Sequence, residues 1–171
     1  MTYSIRQLVV SDAEAFRAIR LEALEDSPEA FGGDYAHESL LPIETFIQQI
    51  THSAIFGAFA SEELKGVVGL FWGTGAKRQH LGHLYTVFVT HSARGTGAAL
   101  PLIEAAVEHA RVRGLAQVLL GVTTHNAPAV SLYRKAGFEI YGTEPRALYV
   151  NGRYVDEHLM VRFLDRDAVQ S

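Results

Sequence analysis

Tyr85 to Arg113 reads YTVFVTHSARGTGAALPLIEAAVEHARVR, and the rest of the chain is arranged around this stretch. Tyr85 to Val89 is a run of β-branched and aromatic residues, the composition of a strand. A short polar turn then leads into Arg94-Gly95-Thr96-Gly97-Ala98-Ala99. Beyond it Leu102, Ile103, Ala106, Val107 and Ala110 recur at spacings of three and four, which puts them on one buried helical stripe while Glu104, Glu108 and Arg111 face water. Pro101 falls in the first helical turn, where the N–H it lacks would have had no partner. The unit is strand, glycine turn, helix, with the helix starting at the glycines.

Two readings of that turn stand side by side. One is a tight connection between a core strand and a core helix, with glycine present for geometry alone. In the other, the unpaired N–H groups of the turn and of the first helical turn form a positive concavity for a phosphate or pyrophosphate. Gly95 and Gly97 would let a ligand lie against the backbone, and Arg94 would add charge. Other phosphate motifs fit worse: there is no G-x-x-x-x-G-K-[ST], and Leu100 stands where the dinucleotide fingerprint has its third glycine.

With 171 residues and 48% hydrophobic composition, residues 1–171 are expected to form one globular domain with a sizeable core. The absence of cysteine excludes disulfide scaffolds, thiol catalysis and thiolate metal sites. The N-terminus MTYSIRQLVV has no apolar signal region, and the longest clean apolar run, Ala54 to Ala60 apart from Gly57, is too short to span a bilayer. A cytoplasmic protein with no membrane partner is therefore expected. A net charge of −4 argues against general nucleic-acid binding. Its distribution says more. Leu21 to Leu64 holds nine acids and no Lys or Arg, whereas Lys65 to Tyr154 holds ten Lys or Arg against four acids. Such halves suit a cation and a polyanion respectively, or are simply solvated faces.

Taken in order, Ile5 to Val9 read as a strand, and Ser11-Asp12-Ala13-Glu14 as a capping box opening a helix to about Glu25. Its inner face is Phe16, Ile19, Arg20, Ala23 and Leu24. A loop with Phe31, Asp34 and Tyr35 precedes a short helix over Ile43 to Ile50. Ala54 to Ala60 and Leu64 to Trp72 read as a hairpin, and His83 to Val89 as the strand entering the glycine turn. Gly114 stops the long helix, and Gln117 to Val122 is a buried strand, so the crossover is parallel and right-handed. A helix over Ala127 to Lys135 ends at Gly137. Phe138 to Tyr141, Ala147 to Val150, the Asn151-Gly152 turn and Tyr154 to Phe163 complete the strands, and the tail frays from about Asp165.

Two segments carry a resemblance. Arg94 to Ala99 has the form R-x-x-G-x-A, and Asn126 to Phe138, NAPAVSLYRKAGF, has the form N-x-x-A-x-x-L-Y-x-K-x-G-F. In that order they resemble the GNAT superfamily of N-acetyltransferases, and the order of elements over nearly the whole chain looks like that fold: an α/β (α+β) mixed sheet in the order β-α-α-β-β-β-α-β-α-β-β. The resemblance implies acetyl-CoA as donor and a primary amine of a small molecule, amino acid or peptide as acceptor. It also implies that the backbone of Arg94, Gly95, Thr96, Gly97, Ala98, Ala99 and Leu100 holds the pyrophosphate, and that Phe88 and Val89 pair with the pantetheine arm where the strands carrying Val89 and Val122 splay. Asn126 would contact the cofactor, and Tyr133 would protonate the departing thiolate. Without the motif, Tyr133 reads as an amphipathic core tyrosine.

The chemistry bears on the remaining candidates. Neutralising an alkyl ammonium of pKa about 10.4 at pH 7 costs roughly 4 to 5 kcal/mol, so a base is useful. A thiol leaving group with a pKa near 8.5 needs less help. A backbone N–H near Val89 would stabilise the thioester oxyanion. Some members of the family place a glutamate base where this chain has His83, and His83 is the candidate base, beside a purely structural reading; Tyr85 shares its face. His80 and His83 point to opposite faces of a strand and do not suit a metal. The acceptor wall is expected from Phe31, Asp34, Tyr35, Trp72, Tyr85 and the Tyr149 to Tyr154 hairpin. Those aromatics read equally as a homodimer surface. A module that binds acyl-CoA without turnover is the alternative to a catalyst.

Overall fold

The chain is described by a computed structural model over residues 2–166. Strand β1 (Ser4–Gln7) leads through one 3-10 turn to helix α1 (Ala13–Asp26). The cap differs from the expected box. Asp12, not Ser11, turns back to accept the Val9 N–H at 2.8 Å, and Arg6 holds the same carboxylate. After a 3-10 turn at Pro28–Ala30 the expected loop contains a single helical turn, α2 (Tyr35–Glu38), because Asp34 accepts the Ala36 N–H and caps it. Helix α3 (Ile43–His52), β2 (Ala54–Ala60), β3 (Glu63–Trp72) and β4 (Leu81–Val89) follow, then α4 (Ala99–Val112), β5 (Gln117–Thr123) and α5 (Ala127–Lys135).

The last hairpin is β6 (Glu139–Val150) with β7 (Arg153–Phe163). Here β6 is one strand rather than two pieces. Pro145 cannot donate to the ladder, the register slips between Glu144 and Leu148, and Arg146, at φ 55°, gives its N–H to the Asp156 carboxylate instead. The fraying expected from Asp165 concerns a tail whose residues 167–171 lie outside the described residues. Among the described residues no helix is long and apolar enough to cross a membrane.

All seven strands form one sheet in the order β1-β2-β3-β4-β5-β7-β6, and the mixed α/β architecture is the one the motif order implied. Both faces are buried. Ile55, Phe59, Val67 and Phe88 pack with Phe16, Ile19 and Phe46 of α1 and α3, while Val68, Leu70, Val118 and Leu120 pack on Leu102, Ile103, Ala106 and Val107 of α4. The apolar stripe of α4 is the one its periodicity required.

The seam between β4 and β5 positions everything that follows. It is the sheet's parallel pair, and it zips over only three steps, Leu81 with Gln117, Gly82 with Val118 and His83 with Leu119. Beyond these, β4 parts from β5. The cause lies on the other side of β4, where the ladder with β3 slips between Val67 and Gly69 and Thr86 takes φ 50°. A β-branched residue at positive φ is a genuine outlier, and the extra residue bends its strand. Arg20 of α1 holds the bulge, donating to the buried Thr86 Oγ1 at 3.0 Å.

Candidate active site

The parted strands expose the β4 backbone from Leu84 to Val89 along an edge with no β5 partner, and the expected splay is thereby present. A cavity of about 260 Å³ fills the opening, with Tyr85 and Thr86 on one wall, Leu120 and Gly121 on the other, and Tyr133 and Phe31 closing it. A second hollow, reaching Phe88, Val89, Arg94 and Ala99, shares Phe31, Val87, Asn126, Ala129 and Tyr133 with the first. The two adjoin as one groove running from the glycine turn to the middle of the sheet.

At the turn, Gly95 and Gly97 sit at φ 73° and 91°, and a Cβ built on either meets nothing within 4 Å, so the backbone is open to a ligand there. Helix α4 begins at Ala98 and Ala99 with no side-chain cap, leaving its first N–H groups directed outward. Thr96 is tied down instead, donating to Ala93 O at 2.5 Å and meeting the Tyr3 hydroxyl at the same distance. Arg94 donates to Val89 O at 3.3 Å, lies over the Phe88 ring and pairs with Asp26. That guanidinium, with the Ser27 hydroxyl, holds the Asp26 carboxyl below its ordinary range.

Helix α5 explains the longer motif in physical terms. Asn126 caps its start, accepting the Ala129 N–H at 3.3 Å, and Pro128 occupies the first turn. At its end Gly137, at φ 82°, gives its N–H to Arg134 O, and Phe138 gives its own to Tyr133 O, both at 3.0 Å. This is a Schellman closure, and its customary apolar contact is the edge-to-face packing of Tyr133 on Phe138 at 6.1 Å. The pattern Y-x-K-x-G-F therefore clamps one tyrosine at the groove. Tyr133 is only 7% exposed, burial pushes its phenol up, and among the described residues its hydroxyl has no protein partner. It stays protonated at neutral pH and can donate.

The structure divides the expected acceptor residues. Phe31 and Tyr85 line the cavity; Tyr85 lies flat over Gly69, its hydroxyl 2.7 Å from Ser53 Oγ, and its phenol is raised by burial. Trp72 does not line it: the indole packs on the opposite face, beneath Arg113 at 3.6 Å and beside His109. Asp34 is spent on the α2 cap, Tyr35 is exposed on that turn, and Tyr149 packs at a tilt against Tyr154 at the outer hairpin. His83 belongs to the zipped part of the seam, stacked on Phe71 at 4.8 Å, with its imidazole lowered by burial and then by Arg78.

Arg20, Thr86 and Glu157 also line the cavity and were not among the expected site residues. Arg20 donates to both Glu38 oxygens at 2.8 and 2.7 Å as well as to Thr86, and Glu157 reaches in from β7. Only Arg20 left a signal, a charge on the apolar stripe of α1. The segregated charge of the two halves also resolves here, since Asp26 pairs with Arg94 and Glu29 meets both Arg153 and His125, at 3.2 and 2.8 Å. The acidic half is fastened to the basic half around the groove.

The chain belongs to the GNAT acetyltransferase family, whose acetyltransferase (GNAT) domain model matches residues 5–159. It is similar to the mycothiol acetyltransferase of Saccharomonospora viridis, 40% identical over 96 residues that make up 52% of this chain and 31% of that protein. An acetyltransferase of the GNAT family from Streptococcus pneumoniae superposes with a TM-score of 0.87 at 25% identity, covering 95% of this chain and 99% of that one. The yncA protein of Salmonella typhimurium, solved with acetyl-CoA, superposes with a TM-score of 0.85 at 18% identity, covering 96% of this chain and 95% of its own. The chain spans about a third to about half of the length of the curated relatives it matches.

Proposed function

We propose that residues 1–171 form one acetyltransferase domain that moves an acetyl group from acetyl-CoA to a primary amine of a small molecule, amino acid or peptide, by direct attack with both substrates bound. The observation that carries this reading is the seam opened between β4 and β5, with a backbone edge free on one side and a protonated tyrosine at its base. Membership of the family supports the acetyl donor, and the name of the mycothiol relative supports a small-molecule acceptor.

The groove fits the donor. The open turn from Arg94 to Leu100 and the uncapped start of α4 suit a pyrophosphate, with Arg94 as counter-charge. The β4 edge at Phe88 and Val89, which has no β5 partner, suits the pantetheine amides, as an added strand would. Asn126 lines both hollows. Coenzyme A supplies an activated acyl thioester and a thiol leaving group. Around it, the β4 amides near Val89 stabilise the developing oxyanion, and Tyr133 donates its phenolic proton to the sulfur.

Incubation with acetyl-CoA and a panel of primary amines, with free thiol as the readout, tests the reading. At least one amine is expected to release thiol. Calorimetric binding of acetyl-CoA with no thiol from any amine would make the protein a binding module instead.

A further inference from the structure

The groove holds a carboxylate that the roles above leave unused. Glu157 stands opposite Thr123 on the β5–β7 ladder, and its side chain leans along the sheet until Oε2 is 2.7 Å from where a Cβ on Gly121 would be. Position 121 leaves space for the carboxylate only because it has no side chain. Across the opening are Tyr85 and Thr86.

Its electrostatic setting is one-sided. Arg20, the cation of the cavity wall, is matched by both oxygens of Glu38, whereas Glu157 makes no ion pair or hydrogen bond among the described residues. A half-buried carboxylate without a partner is costly, and it leaves the cavity with an unbalanced negative charge. That charge is complementary to an alkyl ammonium.

We propose that Glu157 receives the acceptor's ammonium group and takes the proton that frees its nitrogen, an inference that rests on the acetyltransferase reading. The charged and titratable groups around it are Glu144 across the β6–β7 ladder, Arg20 from α1, and the phenols of Tyr85 and Tyr133 from β4 and α5. Burial raises the Glu157 carboxyl, and Glu144 pushes it the same way, towards the range in which a base works best at neutral pH. His83, zipped into the seam and stacked on Phe71, has no comparable opening.

The step balances as follows. Glu157 removes one proton from the ammonium, and the nitrogen lone pair forms the N–C bond to the acetyl carbon as the C–S bond breaks. The sulfur takes the Tyr133 proton, the second proton lost by nitrogen restores that phenol, and Glu157 releases its proton to water. The net products are one amide, one thiol and one proton.

Glu157→Gln in the full chain preserves shape and removes the base. We expect kcat to fall about a hundredfold, the acidic limb of its pH profile to vanish, and the calorimetric Kd for acetyl-CoA to stay unchanged. Glu144→Gln, a change at an exposed residue of β6, should shift that limb to lower pH. Arylamines, already neutral at pH 7, should lose less than alkylamines in Glu157→Gln. Unaltered kcat and limb in Glu157→Gln, or an unmoved limb in Glu144→Gln, overturn the assignment while thiol release by the parent protein upholds the acetyltransferase reading. A readout independent of turnover is the carboxyl NMR titration of Glu157 with butylammonium. Its midpoint should fall as the ammonium binds, and a midpoint that does not move sinks the proposal even if no amine is acetylated.

Discussion

The two ends of the groove are built from different materials. The end proposed for the phosphates is backbone, made of two glycines at positive φ and a helix start that no side chain caps. The end proposed for the amine is side chain, assembled from Arg20 of α1, Glu38 of α2, Thr86 of β4 and Glu157 of β7. A backbone site is set by local conformation and serves any ligand with the same phosphate tail. A side-chain site is set by long-range packing, and it can be rewritten residue by residue while the fold stays the same.

The comparison is broken most severely through Arg20. Arg20→Met leaves Glu38 unpaired, with both side chains only 12% exposed, and the Thr86 bulge without its donor. A loss of about 3 kcal/mol is expected in urea unfolding. Adding Glu38→Leu should recover most of it; a double variant no more stable than Arg20→Met would show that charge pairing is not what holds this corner. Next comes the residue between the two ends. Tyr133→Phe keeps the ring packed on Phe138 and removes only the donor, so kcat should drop about tenfold to a hundredfold with the acetyl-CoA Kd unchanged. Steady-state kinetics beside calorimetry decides, and undiminished turnover would take Tyr133 out of the mechanism.

Changes at the phosphate end should be smaller and should appear in binding. Gly97→Ala meets no neighbour within 4 Å, so its cost is conformational, about 1–2 kcal/mol, divided between stability and a weaker acetyl-CoA Kd. Arg94→Gln removes a charge already shared with Asp26 on a partly exposed surface, and a Kd raised no more than about fivefold at low salt should converge on the parent value at high salt. The smallest effect belongs to His83. Its folded pKa lies below the unfolded one, so the unfolded chain binds more protons, and stability falls as pH drops below about 6.5. His83→Gln should abolish that slope in thermal melts at pH 5 to 7 and leave the acidic limb of kcat in place; loss of the limb would return His83 to the role of base.

The same contrast explains what the sequence revealed. The apolar stripe of α4 and the glycine turn are local, so spacing located them, whereas the N-x-x-A-x-x-L-Y-x-K-x-G-F pattern pointed to Asn126 and Tyr133 through its resemblance to a family; they form the cap and a buried position of α5. Position 86 looked like any threonine in a strand, since a bulge depends on register with β3 and not on the residue itself. Trp72 is expected in the acceptor wall and instead packs in the α4 layer, because strand alternation does not say which helix layer covers which side. Glu157 read as one more acid on an outer strand, because nothing in linear order places it beside Gly121.

Helix α5 ends in three residues with two obligations. The Tyr133, Gly137 and Phe138 unit that terminates the helix is also what holds a buried phenol at the wall of the groove. Lengthening that helix by a single turn would carry the phenol away from the groove, and on the acetyltransferase reading proposed above such an insertion is expected to abolish thiol release while the seven strands keep their pairing.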